Sequence, residues 1–147
     1  MKKIIFIGQT GCGKTTLCQY LHDMELKYQK TQQVNYFEDS IDTPGEFLEN
    51  RLLYNALITS SVDADYLGFI QSAENQFSFF PPLFAASFTR PAIGIVTKID
   101  KVKEEKQIEQ AERFLSLAGV KKIFKMSAVT GDGLSEFVAW LKREKDA

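Results

Sequence analysis

The run Gly8-Gln9-Thr10-Gly11-Cys12-Gly13-Lys14-Thr15 has the residue types and spacing to hold a phosphate chain. Its glycines let the backbone curl, so that successive N–H groups point into one concavity. The short apolar run at residues 4–7 comes directly before it, and an apolar-periodic stretch opening with Thr16 comes directly after. A strand, a loop and a helix in that order aim the positive end of the helix dipole at the same concavity. There the Lys14 ammonium would reach the β- and γ-phosphates of a nucleotide, and the Thr15 hydroxyl would ligate Mg²⁺. Cys12 occupies a variable position of the loop, and Cys18 reads as small-residue packing on the helix behind it. Neither cysteine belongs to a CxxC pair, and a single His22 offers no metal cluster.

Such a loop does not choose between ATP and GTP, and later segments narrow the choice. Asp42-Thr43-Pro44-Gly45 follows a short strand candidate. Asp42 can hold Mg²⁺ through a water, and the Gly45 N–H can approach the γ-phosphate. The alternative is a helix N-cap followed by a Pro-Gly turn. Thr97-Lys98-Ile99-Asp100 follows another apolar run. The Asp100 carboxylate can accept from guanine N1–H and the exocyclic amine, whereas adenine would meet it with an acceptor. Charge-assisted bonds of about 1.5–3 kcal/mol each correspond to roughly a hundredfold preference for guanine. The Lys98 stem can lie against the base. Thr97 stands where an asparagine is usual and brings fewer donors. Ser127-Ala128 follows a third run, and a backbone N–H there could meet guanine O6. The binding set read from these segments is Gly8 to Thr16, Thr97, Lys98, Asp100, Ser127 and Ala128.

The elements that must position these groups alternate along the chain. Strands are expected at residues 4–7, 34–37, 40–41, 66–70, 92–96 and 122–126, and helices at 14–24, 48–60, 103–118 and 134–142, with Gly119 as a C-cap. That alternation predicts an α/β sandwich with a mostly parallel sheet, its site at the carboxyl ends of the strands. The 147 residues predict one domain. A hydrophobic share of 44% and a net charge of −1 argue against nucleic acid or an anionic membrane as the main partner. No apolar run has transmembrane length, and no leader or lipid anchor is expected, which predicts a cytoplasmic protein. Phe80, Phe84 and Phe88 share a helical spacing suited to core, while Phe77 and Phe79 precede the prolines in a loop and could form a docking surface. Lys121-Lys122 reads as solvated surface.

Taken together, the segments resemble those of small Ras-like P-loop GTPases, in the expected order over the whole length, as a three-layer P-loop NTPase sandwich. The resemblance is closer to the ethanolamine-utilisation EutP and propanediol-utilisation PduV family. It rests on Gly8 to Leu17, Lys30-Thr31-Gln32-Gln33-Val34, Ile41 to Glu46 with Tyr54-Asn55-Ala56-Leu57-Ile58, and Arg90 to Asp100. It implies a GTP/GDP-binding, Mg²⁺-dependent cytosolic protein encoded with a bacterial microcompartment pathway, with a protein partner from that pathway. It also implies Thr31 as the switch threonine that closes on Mg²⁺ and the γ-phosphate; the alternative is a solvated loop residue. Where many GTPases carry a water-orienting glutamine, this chain has Glu46. Glu46 positions the attacking water, or Gln32, Gln33 or a partner's group does so and Glu46 favours the N-terminus of the next helix by its charge; with no arginine that reads as a catalytic finger, slow hydrolysis is expected. The catalytic set is then Lys14, Thr31, Gly45 and Glu46, with Thr15, Thr31 and Asp42 on the metal. Residues 25–33 have too few apolar groups to be pinned by the core, and a loop ordered by the triphosphate is expected there. Two competing functions stay open: a phosphotransferase acting on a small acid such as acetate, and a nucleotide-binding scaffold without turnover.

Overall fold

The computed structural model describes residues 4–8, 16–17, 19–20, 62, 64–78, 80 and 82–143. Four strands form one sheet: β1 (Ile4–Gly8), β2 (Tyr66–Ser72), β3 (Ala92–Thr97) and β4 (Ile123–Lys125). They lie side by side in that order and every described pairing is parallel. All five residues of β1 are buried, and β2 and β3 are buried after their first residue. Near-continuous apolar strands are what a parallel sheet covered on both faces requires.

The pleat sorts β1 between two cores. Ile5 and Ile7 join Leu67, Phe69 and Val96 on one face, and helix α1 (Glu105–Leu117) closes that face with Ala111 and Leu115. Ile4 and Phe6 join Ile70, Ile93 and Ile95 on the other, covered by Leu17 and by helix α2 (Leu134–Lys142) through Leu134, Phe137, Trp140 and Leu141. The result is helix, sheet, helix, the layered α/β arrangement expected from the alternation. Thr16, Leu17, Gln19 and Tyr20 are helical, as expected for the segment behind the glycine-rich loop. The strand candidates at 34–37 and 40–41 and the helix at 48–60 lie outside the described residues.

Two glycines set helix ends. Gly119 at φ 103° follows the last turn of α1, the left-handed C-cap position its place after Ala118 suggested. Gly133 at φ 77° precedes α2, and a Cβ there would run into the Lys125 carbonyl oxygen. The helix therefore starts hard against the end of β4.

Phe80, Phe84 and Phe88 are all core, but not as one helix face. A 3-10 turn spans only Phe84–Ser87, preceded by Leu83 in the left-handed region at φ 59°. What gathers the rings is Phe69 on β2, which stacks on Phe80 at 4.8 Å and meets Phe84 at 5.4 Å and Phe88 at 6.4 Å. Phe77 is exposed, and Phe79 lies outside the described residues. Among the described residues, no helix is long and apolar enough to cross a membrane.

Candidate functional site

The carboxyl ends of the strands converge on one edge of the sheet. Gly8 ends β1 opposite Ile70, so the chain enters the glycine-rich loop at that edge. Ser72 pairs with Thr97 and Val96 with Lys125, which brings the ends of β2, β3 and β4 to the same level. The backbone then stitches the three exits together. Ala73 N–H donates to the Thr97 carbonyl at 2.9 Å, Met126 N–H to Val96 at 2.8 Å, and Ile99 N–H to Met126 at 3.4 Å.

Thr97 is buried at the end of β3, and Lys98 turns the chain in the left-handed region at φ 59° and ψ 35°. An uncommon backbone state for a non-glycine residue here serves to swing the following 3-10 turn, Ile99–Lys101, back toward β4. That turn carries Asp100. Ser127, fully buried after β4, donates its Oγ–H to Asp100 Oδ1 at 2.6 Å. The same oxygen accepts the N–H groups of Val129 at 3.2 Å and Thr130 at 3.1 Å. With both N–H groups directed at it, the hydroxyl has its proton free to give to the carboxylate. Asp100 is therefore held in orientation by a short charge-assisted bond. A carboxylate oxygen keeps a second lone pair, and the other oxygen two, so the acceptor capacity for a base remains.

Asp100 forms part of the wall of a pocket of about 110 Å³, together with Thr16, Leu17, Thr97, Lys98, Lys101, Met126, Ala128 and Val129. Its lining is mostly apolar with one fixed carboxylate, the make-up that suits a flat heterocycle with donors on one edge. Lys98 Nζ is drawn to Glu74, 3.6 Å away on the loop after β2. That pair is partly exposed and worth little in stability, and Lys98 lines the pocket.

Six residues expected at the site thus meet around this pocket edge: Thr16, Thr97, Lys98, Asp100, Ser127 and Ala128. Gly8 stands where the phosphate loop must begin. Residues 9–15, with Lys14 and Thr15, and Thr31, Asp42, Gly45 and Glu46 lie outside the described residues, as does the expected switch loop at 25–33. No group of three or more His, Cys, Asp or Glu able to hold a metal ion occurs among the described residues. Two contributors were missed in the sequence: the Ser127 hydroxyl as the group that orients Asp100, and Glu74 as the partner of Lys98. A charged residue just beyond the end of a buried strand was the available signal for Glu74.

Known proteins resemble the chain in sequence and in fold. The profile of the PduV-EutP family, described as "Ethanolamine utilisation - propanediol utilisation", matches residues 1–143. The propanediol utilization protein PduV of Citrobacter freundii is 40% identical over 147 residues, covering 100% of this chain and 97% of that protein. The probable acetate kinase EutP of Escherichia coli K12 is 36% identical over 102 residues, covering 68% of this chain and 64% of that protein. Among solved structures, translation elongation factor SelB from Methanococcus maripaludis superposes with a TM-score of 0.58 at 23% identity. The match covers 95% of this chain and 32% of the longer SelB chain. That likeness speaks for the fold alone, which is the α/β P-loop fold.

Proposed function

The chain belongs to the PduV-EutP family, and from that premise we propose that it binds guanine nucleotide with Mg²⁺ and hydrolyses GTP slowly, as a switch in propanediol or ethanolamine utilisation. The observation that carries the reading is the Asp100 carboxylate fixed by Ser127 at the rim of a pocket that begins at Thr16. A carboxylate oriented before the ligand arrives costs less to order on binding, and it pairs with the guanine edge while opposing adenine. On this reading Lys14 draws the β- and γ-phosphates, and the Gly45 N–H donates to the γ-phosphate. Thr15, Thr31 and Asp42 would hold Mg²⁺, which neutralises charge on the phosphates when bound. Glu46 would accept a hydrogen bond from the attacking water. The protein would work in the cytoplasm, in association with a microcompartment and a protein partner of that pathway.

The name of the Escherichia coli relative favours a second reading, phosphoryl transfer to a small acid such as acetate. A carboxylate acceptor needs cationic side chains beside the γ-phosphate. Among the described residues, Arg90, Lys121, Lys122 and Arg143 do gather around one groove, but at the opposite edge of the sheet from Gly8. Calorimetric titration with GTP, GDP and ATP in Mg²⁺, followed by phosphate release with and without acetate, separates the readings. The expected result is preference for GTP and GDP, with slow phosphate release indifferent to acetate. Tighter binding of ATP, or release diverted into acetyl phosphate, would establish the transferase. Binding without any release would leave a scaffold.

A further inference from the structure

At the amino-terminal ends of β2, β3 and β4 lies a groove of about 750 Å³. Its floor is aromatic: Phe88 is buried, and Tyr66 meets Trp140 edge to face at 4.7 Å. Around that floor stand Arg90, Lys121, Lys122 and Arg143, and among the described residues no carboxylate lines the groove. The chain as a whole carries a net charge of −1, so four cations at one concavity do not follow from a basic composition. They are also placed by the fold. Arg90 donates from Nε and Nη2 to the Val62 carbonyl at 3.2 and 2.7 Å, which holds the guanidinium in position while leaving its charge uncompensated by that partner. Lys122 Nζ sits 5.2 Å from the Phe124 ring centre.

The rim carries a second signal. Leu83, 67% exposed, is fixed in the left-handed region by its own N–H bond to the Leu117 carbonyl at 2.8 Å and by Ala85 N–H to Ala118 at 2.8 Å. Leu117 is also exposed. A leucine in an uncommon backbone state, turned to solvent beside a cationic groove, has the form of an anchor for an apolar side chain.

We infer that this groove docks an acidic segment of a partner protein, its apolar side chains on Leu83 and the Phe88–Trp140 floor and its carboxylates between Arg90, Lys121, Lys122 and Arg143. Charge complementarity selects an anion, the aromatic floor selects one with apolar side chains, and a concavity is not a surface that a bilayer enters. The strands separate the groove from Asp100 by about 20 Å, at roughly 3.3 Å per residue. Partner and nucleotide can therefore be bound together. The inference does not depend on which reaction the nucleotide site performs.

Trp140 is the chain's single tryptophan and lines the groove, so its emission reports occupancy without a label. The full chain is titrated with a synthetic peptide rich in glutamate and leucine, with the same peptide carrying glutamine for glutamate, and with phosphatidylglycerol vesicles. A saturable change with the acidic peptide is expected. Binding should weaken about tenfold or more for the glutamine peptide, and likewise for the parent peptide on a protein carrying Lys121→Glu and Lys122→Glu. Leu83→Gly, which keeps the left-handed backbone available, should weaken peptide binding while leaving nucleotide binding unchanged. Rising salt should release the peptide, a readout that needs no variant. Equal binding of both peptides, salt-independent binding, or a response to vesicles but not to peptide would overturn the inference.

Discussion

Replacing Ser127 by alanine removes one oxygen and three interactions: the proton given to Asp100 at 2.6 Å and the acceptor for the N–H groups of Val129 and Thr130. Val129 and Thr130 are exposed, so water takes over their N–H groups and the fold loses little. The Asp100 bond is different. A hydrogen bond to a charged group contributes about 1.5–3 kcal/mol. Asp100 is itself exposed while Ser127 is fully buried, which places the bond at the lower end of that span. If orientation of Asp100 is what this bond supplies to guanine recognition, Ser127→Ala should weaken GDP and GTP binding by about tenfold, since about 1.4 kcal/mol is a factor of ten. ATP binding, which gains nothing from a carboxylate facing its N1, should change by much less. Calorimetry with GDP and ATP on the parent and the variant, with circular dichroism to check folding, gives both ratios. A folded variant that binds GDP within twofold of the parent would refute the orienting role. Equal losses for GDP and ATP would show that the hydroxyl shapes the pocket rather than reads the base.

Asp100→Asn should weaken guanine binding and favour xanthine, because an amide donates to the C2 carbonyl where a carboxylate only accepts; competition between GDP and XDP reads this directly. Lys14→Ala should abolish calorimetric binding of GTP while the far-ultraviolet spectrum stays that of the parent. Gly133→Ala forces a side chain into the left-handed region and against the Lys125 carbonyl. The conformational cost alone is about 1–2 kcal/mol, so a fall in Tm of at least roughly 2–8 °C is expected, and an unchanged melting curve would contradict the close approach of α2 to β4.

The strands and helices that frame the site were legible because their signals are local. The apolar run before Gly8, the periodicity ending at Gly119 and the segment from Leu134 to Lys142 each contain their own evidence. The loop Thr97-Lys98-Ile99-Asp100 was legible as chemistry for the same reason. Contacts between loops were not. Ser127 reaches Asp100 across 27 positions of sequence, and only the register of β3 against β4 decides that they touch. Helical spacing led to the right burial for Phe80, Phe84 and Phe88 by the wrong route, because Phe69 assembles them and Leu83 interrupts the helix. Lys121 and Lys122 are exposed, as expected from the sequence, but Arg90 and Arg143 join that pair only once the sheet is built.

The register Ile4↔Tyr66 also bears on how the protein is made. β1 leaves the ribosome before β2, with five residues that end up wholly inside, and its partner among the described strands is encoded roughly sixty residues later. At about 5–20 residues per second, the interval is several seconds to about ten. During that time Ile4, Ile5, Phe6 and Ile7 lack their β2 partner, and the chain is at its most vulnerable to aggregation. β1 gains its described strand partner only after β2 has emerged. Nucleotide added during synthesis should therefore do little for chains that stop short of Val129, and begin to protect them only once the residues that line the Asp100 pocket have all emerged.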